Sequence, residues 1–423
     1  MSADVDAVVI GAGAAGLSAA KELSKRGLSF ALVEGSHRIG GRAYAEEIAP
    51  DVWFDLGCSY LHQGAANPFG PIADALGVLL NRDHADIFSR IRFHRDGVEL
   101  TDAEAARFEE YDDTCDEAFD ASVERGEDRP MSDFVDMESK FFVPYANGMA
   151  ALNAMDIDET SAADYTGFVD DVDGNWQQDI PVPGGYGNLV KTWGGDVDVS
   201  LNCKVEKVDW SGSGVAVETV KGTIRGRVAL ITVSTGILAS NSILFDPVLP
   251  NWKIESYLGV PTGTENKICL YFDEDVFGPD GLGFHTTWNS AGDAAGFEAS
   301  VNGNNTAIVF TGGRHGIWLE KQGQQAGEDF ALARVAEVFG NDVRKHMKRS
   351  IATAWASEPW TFGAYSCARP GQAHQRIELA KPVDERLFFA GEATISDCNS
   401  TCHGAYLSGI RAAEEIAASL AYR

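Results

Sequence analysis

Close to the amino terminus, Val8-Val9-Ile10-Gly11-Ala12-Gly13-Ala14-Ala15-Gly16-Leu17 restricts what this chain can fold into more than any other segment. An apolar strand, Ala7 to Ile10, runs into G-x-G-x-x-G, and a helix-like run, Leu17 to Arg26, follows. A second apolar strand, Phe30 to Val33, then ends in Glu34. Each part has a task in binding a dinucleotide. Gly11 makes the tight turn, Gly13 lets the main chain approach a pyrophosphate, and Gly16 lets helix pack on strand. The helix N-terminus supplies free N–H groups and the positive end of a dipole to the phosphates. Glu34 stands at the distance beyond Gly11 where an acid accepts the ribose hydroxyls. A lone G-x-G-x-x-G is a weak signal. Strand, helix, second strand and acid in this order make it a specific one.

Composition narrows the setting. The 423 residues are 44% hydrophobic, enough for two domains with substantial cores. A formal net charge of -29 argues against nucleic acid and anionic membranes as partners. It permits attraction of a cationic ligand, although an acidic surface also serves solubility and salt tolerance. Met1 to Asp6 is short and acidic, unlike a secretory leader. No apolar run reaches the roughly 18 residues that span a bilayer. The 7 cysteines are an odd number and widely scattered, which suits reduced thiols and leads to the expectation of a cytoplasmic protein. Cys398, Cys402 and His403 lack a second ligand pair at zinc-type spacing, so no metal is expected.

Along the chain, Pro71 to Leu79 reads as a helix. Residues 101–165 carry apolar residues at helical spacing (Phe108, Tyr111, Cys115, Phe119) above a solvated acidic face that includes Asp112-Asp113. Asp170-Asp171 reads as surface as well. Val197 to Leu201, Val205 to Trp210, Val215 to Val220 and Arg227 to Val233 are strand-like, as are Ile268 to Phe272 and Ala307 to Thr311. Phe330 to Phe339 reads as a helix. The buried strand Leu387-Phe388-Phe389-Ala390 enters Gly391-Glu392, and a last helix starts near Gly404.

Gly35-Ser36-His37-Arg38-Ile39-Gly40-Gly41-Arg42 resembles the extended fingerprint of FAD-binding oxidoreductases. There, close main-chain approach at Gly41 and a guanidinium at Arg42 serve phosphate. Further blocks are Asp55-Leu56-Gly57, Pro183-Gly184-Gly185-Tyr186, Gly263-Thr264-Glu265-Asn266-Lys267-Ile268, Gly363-Ala364-Tyr365-Ser366, Phe389-Ala390-Gly391-Glu392-Ala393-Thr394 and Ser400-Thr401-Cys402-His403-Gly404-Ala405. With them the chain resembles, nearly end to end, the flavin-containing amine oxidases. That group includes monoamine, polyamine and spermine oxidases and flavin-dependent histone lysine demethylases.

The resemblance implies an α/β fold: a Rossmann-type FAD-binding domain with an inserted α+β substrate domain, mostly antiparallel sheet plus helices. Residues 1–82, 184–242 and 376–423 fall to the discontinuous FAD domain, and 83–183 and 243–375 to the substrate domain. It assigns cofactor contacts to Gly11, Gly13, Ala15, Gly16, Glu34, Gly35, Gly41, Arg42, Val205, Gly391, Glu392, Thr401, Cys402 and Ala405. Val205 falls on the strand whose main chain reads the adenine side, and Glu392 is the acid that holds the ribityl and pyrophosphate part. The helix from Thr401 to Ala405 aims its N-terminus at the flavin pyrimidine. Ala364 stands where monoamine oxidases carry a flavin-linking cysteine, which implies non-covalent FAD.

Lys267 matches the lysine that holds a water at flavin N5 and assists reoxidation. Tyr365 matches one wall of an aromatic cage, and a ring face favours a cation. Thr401 stands where monoamine oxidases carry the second cage tyrosine, a departure shared with polyamine oxidases and demethylases. Trp360 is expected to line the same substrate pocket. Tyr60-Leu61-His62-Gln63-Gly64-Ala65-Ala66-Asn67-Pro68 resembles the Trp-Ile-His-Gly segment of spermine and acetylpolyamine oxidases. His62 there can bond or deprotonate a secondary amine. Gln63 in place of glycine, and Ser234-Thr235-Gly236 in place of a proline-containing turn, depart from that pattern.

The implied activity is oxidation of a small cationic amine, a polyamine before others. Hydride would pass from the α-carbon to flavin N5, the imine would hydrolyse to an aldehyde and an amine, and O₂ would be reduced to H₂O₂. A homodimer is compatible with the chain. The alternatives are oxidation of a monoamine or of another secondary or aromatic amine, and, in a different class, an FAD-scaffolded peptide-binding or demethylase-like protein.

Overall fold

The computed structural model describes residues 3–82, 91–170, 179–279 and 281–421. It opens on strand Val5–Ile10, helix Ala14–Lys25 and strand Phe30–Val33, the two strands paired in parallel. Gly11 turns at φ +106°. A Cβ at Gly16 would lie 1.9 Å from the Gly11 carbonyl oxygen, so the helix can sit on the strand only without a side chain there. The helix buries Leu17, Ala20 and Leu23 in a core with Leu32, Leu189 and Ile416. The final helix, Cys402–Ala421, lies against it so closely that a Cβ at Gly409 would meet the Ala15 oxygen at 2.1 Å. Ser18 closes the contact by donating to the Tyr406 carbonyl at 2.7 Å.

Two sheets organise the molecule. In the first, the order is Leu244–Asp246, Val205–Asp209, Val215–Thr219, Gly222–Ile231, Val5–Ile10, Phe30–Val33, Val199–Ser200. Leu387–Phe389 joins Gly222–Ile231 in parallel. Parallel strands need both faces covered, which is why they read as continuous apolar runs. The three from Val205 to Ile231 form an antiparallel meander at one side.

The second sheet has the order Met347–Ala352, Glu265–Phe272, Thr306–Gly312, Ala294–Ala299, Gly283–Trp288, Arg92–Arg95, Val98–Glu99. It is antiparallel except where Arg92–Arg95 pairs with Gly283–Trp288. Helix Gln324–Phe339 covers one face with Ala331, Leu332 and Val335. The other face is turned toward the first sheet. Helices Asp102–Glu124, Phe142–Leu152 and Ala162–Asp170 form a separate apolar cluster around Phe108, Phe119, Tyr145 and Tyr165. Thr101 and Glu104 start the first of these with a reciprocal capping box.

Three expectations need correction. The first sheet runs on to Asp246, and Leu249, Tyr257 and Val260 share a core with Val8, Ile10 and Ile231. Residues 243–260 therefore pack with the dinucleotide sheet, and the boundary expected at 242 falls too early. The early helix is Phe69–Leu76, begun behind Pro68 and stopped by Gly77 at φ +69°. Asp112 is only half exposed: it lies one turn beyond Phe108, one of its oxygens is buried without a hydrogen-bond partner, and burial pushes it up to about 6. The Asp170-Asp171 pair ends at the margin of the described residues, with Asp171 outside them. Among the described residues, no helix is long and apolar enough to cross a membrane, and no group of three His, Cys, Asp or Glu is placed to hold a metal.

Candidate active site

Between the two sheets runs one continuous cavity of about 1510 Å³. Drug-sized ligands occupy roughly 300–1,000 Å³, so there is room for a dinucleotide and a second molecule. Gly11, Gly13, Ala15, Glu34, Gly35, Gly41, Arg42, Val205, Gly391, Glu392, Thr401, Cys402 and Ala405 line it, as do Lys267, Tyr365, His62 and Trp360. Gly16 does not, because its task is the helix–strand contact.

At one end the lining is largely main chain. Helix Ala14–Lys25 begins at Gly13 with no side-chain cap, leaving its first N–H groups to a ligand. Gly13 lies against Gly40 and Gly41. Both Glu34 oxygens take main-chain N–H groups, from Ala12 and from Ser36, each at 2.8 Å, which fixes the carboxylate at the cavity wall. A Cβ at Gly391 would meet no protein atom within 4 Å; its φ of +139° is what requires glycine. Uncapped helix N-terminus, glycine cradle and fixed acid together fit the adenosine and pyrophosphate of FAD.

Arg38 also lines the cavity. Its guanidinium lies 3.8 Å over the Tyr44 ring and donates to the Gly41 carbonyl at 2.7 Å. Arg42 donates through Nη1 to the Ala364 carbonyl at 2.7 Å and to Glu392 at 2.8 Å. The other Glu392 oxygen accepts from the Ser366 hydroxyl at 2.5 Å and the Ser400 N–H at 3.2 Å. Burial pushes this carboxyl up, but Arg42, Arg376 and Ser366 more than reverse that and hold it below its ordinary range. Glu392 and the Ala364 carbonyl thus fix the Arg42 guanidinium at the cavity wall.

Trp360 is misplaced by the sequence reading. Its ring packs on Gly35, where a Cβ would come within 2.4 Å, and it is 38% exposed. It therefore stands beside the ribose acid and not in the substrate pocket, because Gly35 leaves a flat main-chain surface for an indole. The other tryptophan of that stretch, Trp355, is buried and donates to the Leu56 carbonyl at 3.0 Å.

The middle of the cavity meets the final helix. Thr401 accepts from the Gly404 N–H at 2.9 Å and donates to the Cys398 carbonyl at 2.7 Å, so its hydroxyl caps the helix N-terminus. Gln63, at φ +63°, accepts from His403 at 3.2 Å. That pairing accounts for a glutamine in the left-handed conformation where glycine was expected.

At the far end, side chains take over. Lys267 is 6% exposed, and its ammonium donates to the Gly57 carbonyl, to the Ser59 hydroxyl at 2.6 Å and to the Asp55 carbonyl at 3.5 Å. The Asp55 carboxylate takes the N–H groups of Tyr186 and Gly187 at 2.8 and 2.9 Å, joining two sequence blocks at the start of helix Tyr186–Gly194. Tyr365 donates to the carbonyls of Ala151 and Leu152 at 2.6 and 3.0 Å, which pins the hydroxyl and leaves the ring to the cavity. His62 Nδ1 lies 2.7 Å from Asp179. Burial pulls this histidine down, but the charge and hydrogen bond of Asp179 outweigh it and leave it above its ordinary value.

Asp179 and Glu298 are cavity residues that sequence reading missed. Asp179 had no motif around it. Glu298 carried a signal: it is the lone charge in the strand Ala294–Ala299.

Fold and site together define a flavoprotein of the two-domain oxidoreductase class. The flavin containing amine oxidoreductase family matches residues 14–417, and the chain belongs to it. It is 29% identical to Polyamine oxidase 4 of Oryza sativa subsp. japonica, over 96% of this chain and 88% of that protein. It is 30% identical to Lysine-specific histone demethylase 1 homolog 1 of the same plant, over 97% of this chain but 52% of that protein. Among solved structures, cyclohexylamine oxidase from Brevibacterium oxydans IH-35A superposes with a TM-score of 0.80 at 21% identity, covering 99% of this chain and 100% of that one. FAD is the cofactor that goes with this family and this cradle.

Proposed function

We propose that this flavin amine oxidase acts on a polyamine, with non-covalently bound FAD and with O₂ as the electron acceptor. The observation that carries the substrate reading is the acidic lining at the Lys267 end, where Asp179, Glu265 and Glu298 share the cavity with the Phe284, Phe310 and Tyr365 rings. Carboxylates among rings suit a flexible polycation: charge fixes the nitrogens and apolar faces take the methylenes. The 29% identity to a polyamine oxidase supports the same reading.

FAD, when bound, supplies the two-electron oxidation of the C–N bond and returns the electrons to O₂ as H₂O₂. The chain's own residues prepare the amine. Only an uncharged nitrogen has the lone pair that supports loss of hydride from its neighbouring carbon. In this reading His62 takes the proton, supported by the 2.7 Å contact of its Nδ1 with Asp179. Lys267, held at the cavity wall by Gly57 and Ser59, would assist the return of electrons to O₂. Non-covalent binding is supported by Ala364, which carries no thiol, and by the nearby Cys367, whose buried thiol is directed at the Ala368 carbonyl at 3.7 Å.

The test is aerobic turnover of the purified yellow holoenzyme with spermine, spermidine, putrescine, acetylated polyamines and simple monoamines, read as H₂O₂ and aldehyde. Selective turnover of polyamines is expected. Turnover of monoamines alone, or demethylation of a peptide lysine without polyamine turnover, would replace the reading. Acid precipitation should release all of the flavin into the supernatant.

A further inference from the structure

Arg376, in helix Gln375–Ala380, is 1% exposed and carries its charge into the interior. Its Nε and Nη2 donate to the two Asp164 oxygens at 2.6 and 2.7 Å. Nη1 donates to the Ser366 hydroxyl at 2.8 Å, and Nη2 also to the Ser366 carbonyl at 3.2 Å. Burial opposes the charge, but Asp164 outweighs burial and holds Arg376 above its ordinary value. Packing alone does not account for the pair, because apolar side chains of similar volume fill a core without the cost of desolvating charges. What the guanidinium adds is direction: a planar fork fixes two partners at once. One is Asp164 on helix Ala162–Asp170, whose Oδ2 also accepts the Ala368 N–H at 2.8 Å. The other is Ser366.

Ser366 is 1% exposed, and each of its polar groups is engaged. Its hydroxyl and N–H donate to one Glu392 oxygen at 2.5 and 3.4 Å. Its carbonyl accepts from the Ser400 hydroxyl at 2.6 Å as well as from Arg376. Through Glu392 the contacts reach Arg42 in the flavin cradle. Through the peptide bond they reach Tyr365, whose hydroxyl is pinned to Ala151 and Leu152 and whose carbonyl accepts the Gly263 N–H at 2.7 Å. Asp164, Tyr365, Ser366, Glu392 and Arg42 all line the cavity, whereas Arg376 stands behind them. The flavin cradle and the aromatic wall thus share one buried anchor, the Arg376–Asp164 pair.

We propose that Arg376 is a positioning residue for amine oxidation: by holding Ser366 it fixes the Tyr365 ring relative to Glu392 and Arg42, and so the amine relative to the flavin. This rests on the amine-oxidase reading above. Arg376 has no place in the cavity lining, so its action runs through Ser366. A misplacement of about 1 Å between reacting groups costs on the order of 100-fold in rate, so a loosened anchor shows in flavin reduction more than in amine binding.

The experiment uses the FAD holoenzyme of the wild type, Arg376→Lys, Ser366→Ala and the double variant, reduced anaerobically by whichever amine of the panel above reduces the wild type fastest. Lysine keeps the charge but not the fork. In each single variant the limiting rate of flavin reduction is expected to fall by about tenfold, with the half-saturating amine concentration within about twofold of wild type. The double variant is expected to lose about tenfold rather than about 100-fold, because both changes cut the same link. Release of FAD on dilution, read as flavin fluorescence, needs no amine and should quicken several-fold in all three. A purely structural Arg376 would lower Tm and leave the limiting rate of the FAD-saturated enzyme unchanged. That result, or additive losses in the double variant, overturns this proposal while leaving the amine-oxidase reading in place. If no amine reduces the flavin, the amine-oxidase reading falls; FAD release unchanged in both single variants would then overturn the anchor as well, and faster release would uphold it.

Discussion

The Gly11–Arg42 end of the cavity and the Lys267–Glu298 end are built from different materials. At the first, recognition is main chain: an uncapped helix N-terminus, a glycine at φ +139° and an acid held by two N–H groups. Nearly all of it lies within one local stretch of sequence. At the second, side chains from the strands Glu265–Phe272, Ala294–Ala299 and Thr306–Gly312, and from the loops around His62, Asp179 and Tyr365, meet only once the fold has formed. Main-chain recognition suits a ligand that does not change, because the backbone cannot be substituted away. Side-chain recognition can be retuned one residue at a time, so the same fold can serve many amines.

The strongest way to break this comparison is to put a side chain into the main-chain end. Gly16→Ala places a Cβ where the Gly11 oxygen now lies within 1.9 Å, and the flavin-to-protein absorbance ratio of the purified protein should fall by about tenfold or more. Retained flavin would show that the helix–strand contact has slack. At the side-chain end, Lys267→Met should slow reoxidation by O₂ by about 100-fold or more, while anaerobic reduction by substrate changes far less. Equal loss in both half-reactions would assign the lysine to substrate binding.

The two sheets should also part in acid. His94 and His285 lie buried 3.1 Å apart in the second sheet, and burial brings each down to about 4 from an ordinary 6.5. The unfolded chain takes up these protons at the ordinary value. Their contribution is therefore complete above about pH 6.5 and is lost as the pH falls toward about 4, on the order of 3 kcal/mol per ring. Tm measured from pH 7 to 4.5 should fall more steeply in the wild type than in His94→Asn/His285→Asn, and equal slopes would refute the assignment.

The smallest effect is expected at Asp179→Asn. Removing the carboxylate leaves burial unopposed, so His62 drops below its ordinary value and the acid limb of kcat/KM moves to lower pH. The weaker base should cost several-fold at high pH. An unmoved limb would take His62 out of the proton transfer.

What was legible in the sequence follows the same division. The fingerprint could be read because Gly11, Gly13, Gly16 and Glu34 act through local backbone geometry that spacing records. The Asp55-Leu56-Gly57 and Pro183-Gly184-Gly185-Tyr186 blocks stood out as motifs, yet their connection through Asp55 to the N–H groups of Tyr186 and Gly187 is a tertiary fact. Trp360 was misread because aromatic character suggests a pocket wall, whereas Gly35 decides where an indole can lie flat. The domain boundary after 242 was set too early because Leu249, Tyr257 and Val260 look the same whichever core takes them. Glu298 shows what pattern reading could have found. A single charge on a strand with no polar face has to be explained by what it meets.

The most direct measurement is anaerobic stopped-flow reduction of the oxidised flavin by spermidine, putrescine and n-butylamine, at low and high salt. The account predicts fast bleaching by the two substrates with more than one cation and slow bleaching by n-butylamine. Salt should weaken the apparent affinity of the polycations most, through screening of the acidic surface. Bleaching by n-butylamine as fast as by putrescine would contradict it, because an acidic cavity lining would then have no use for a second charge.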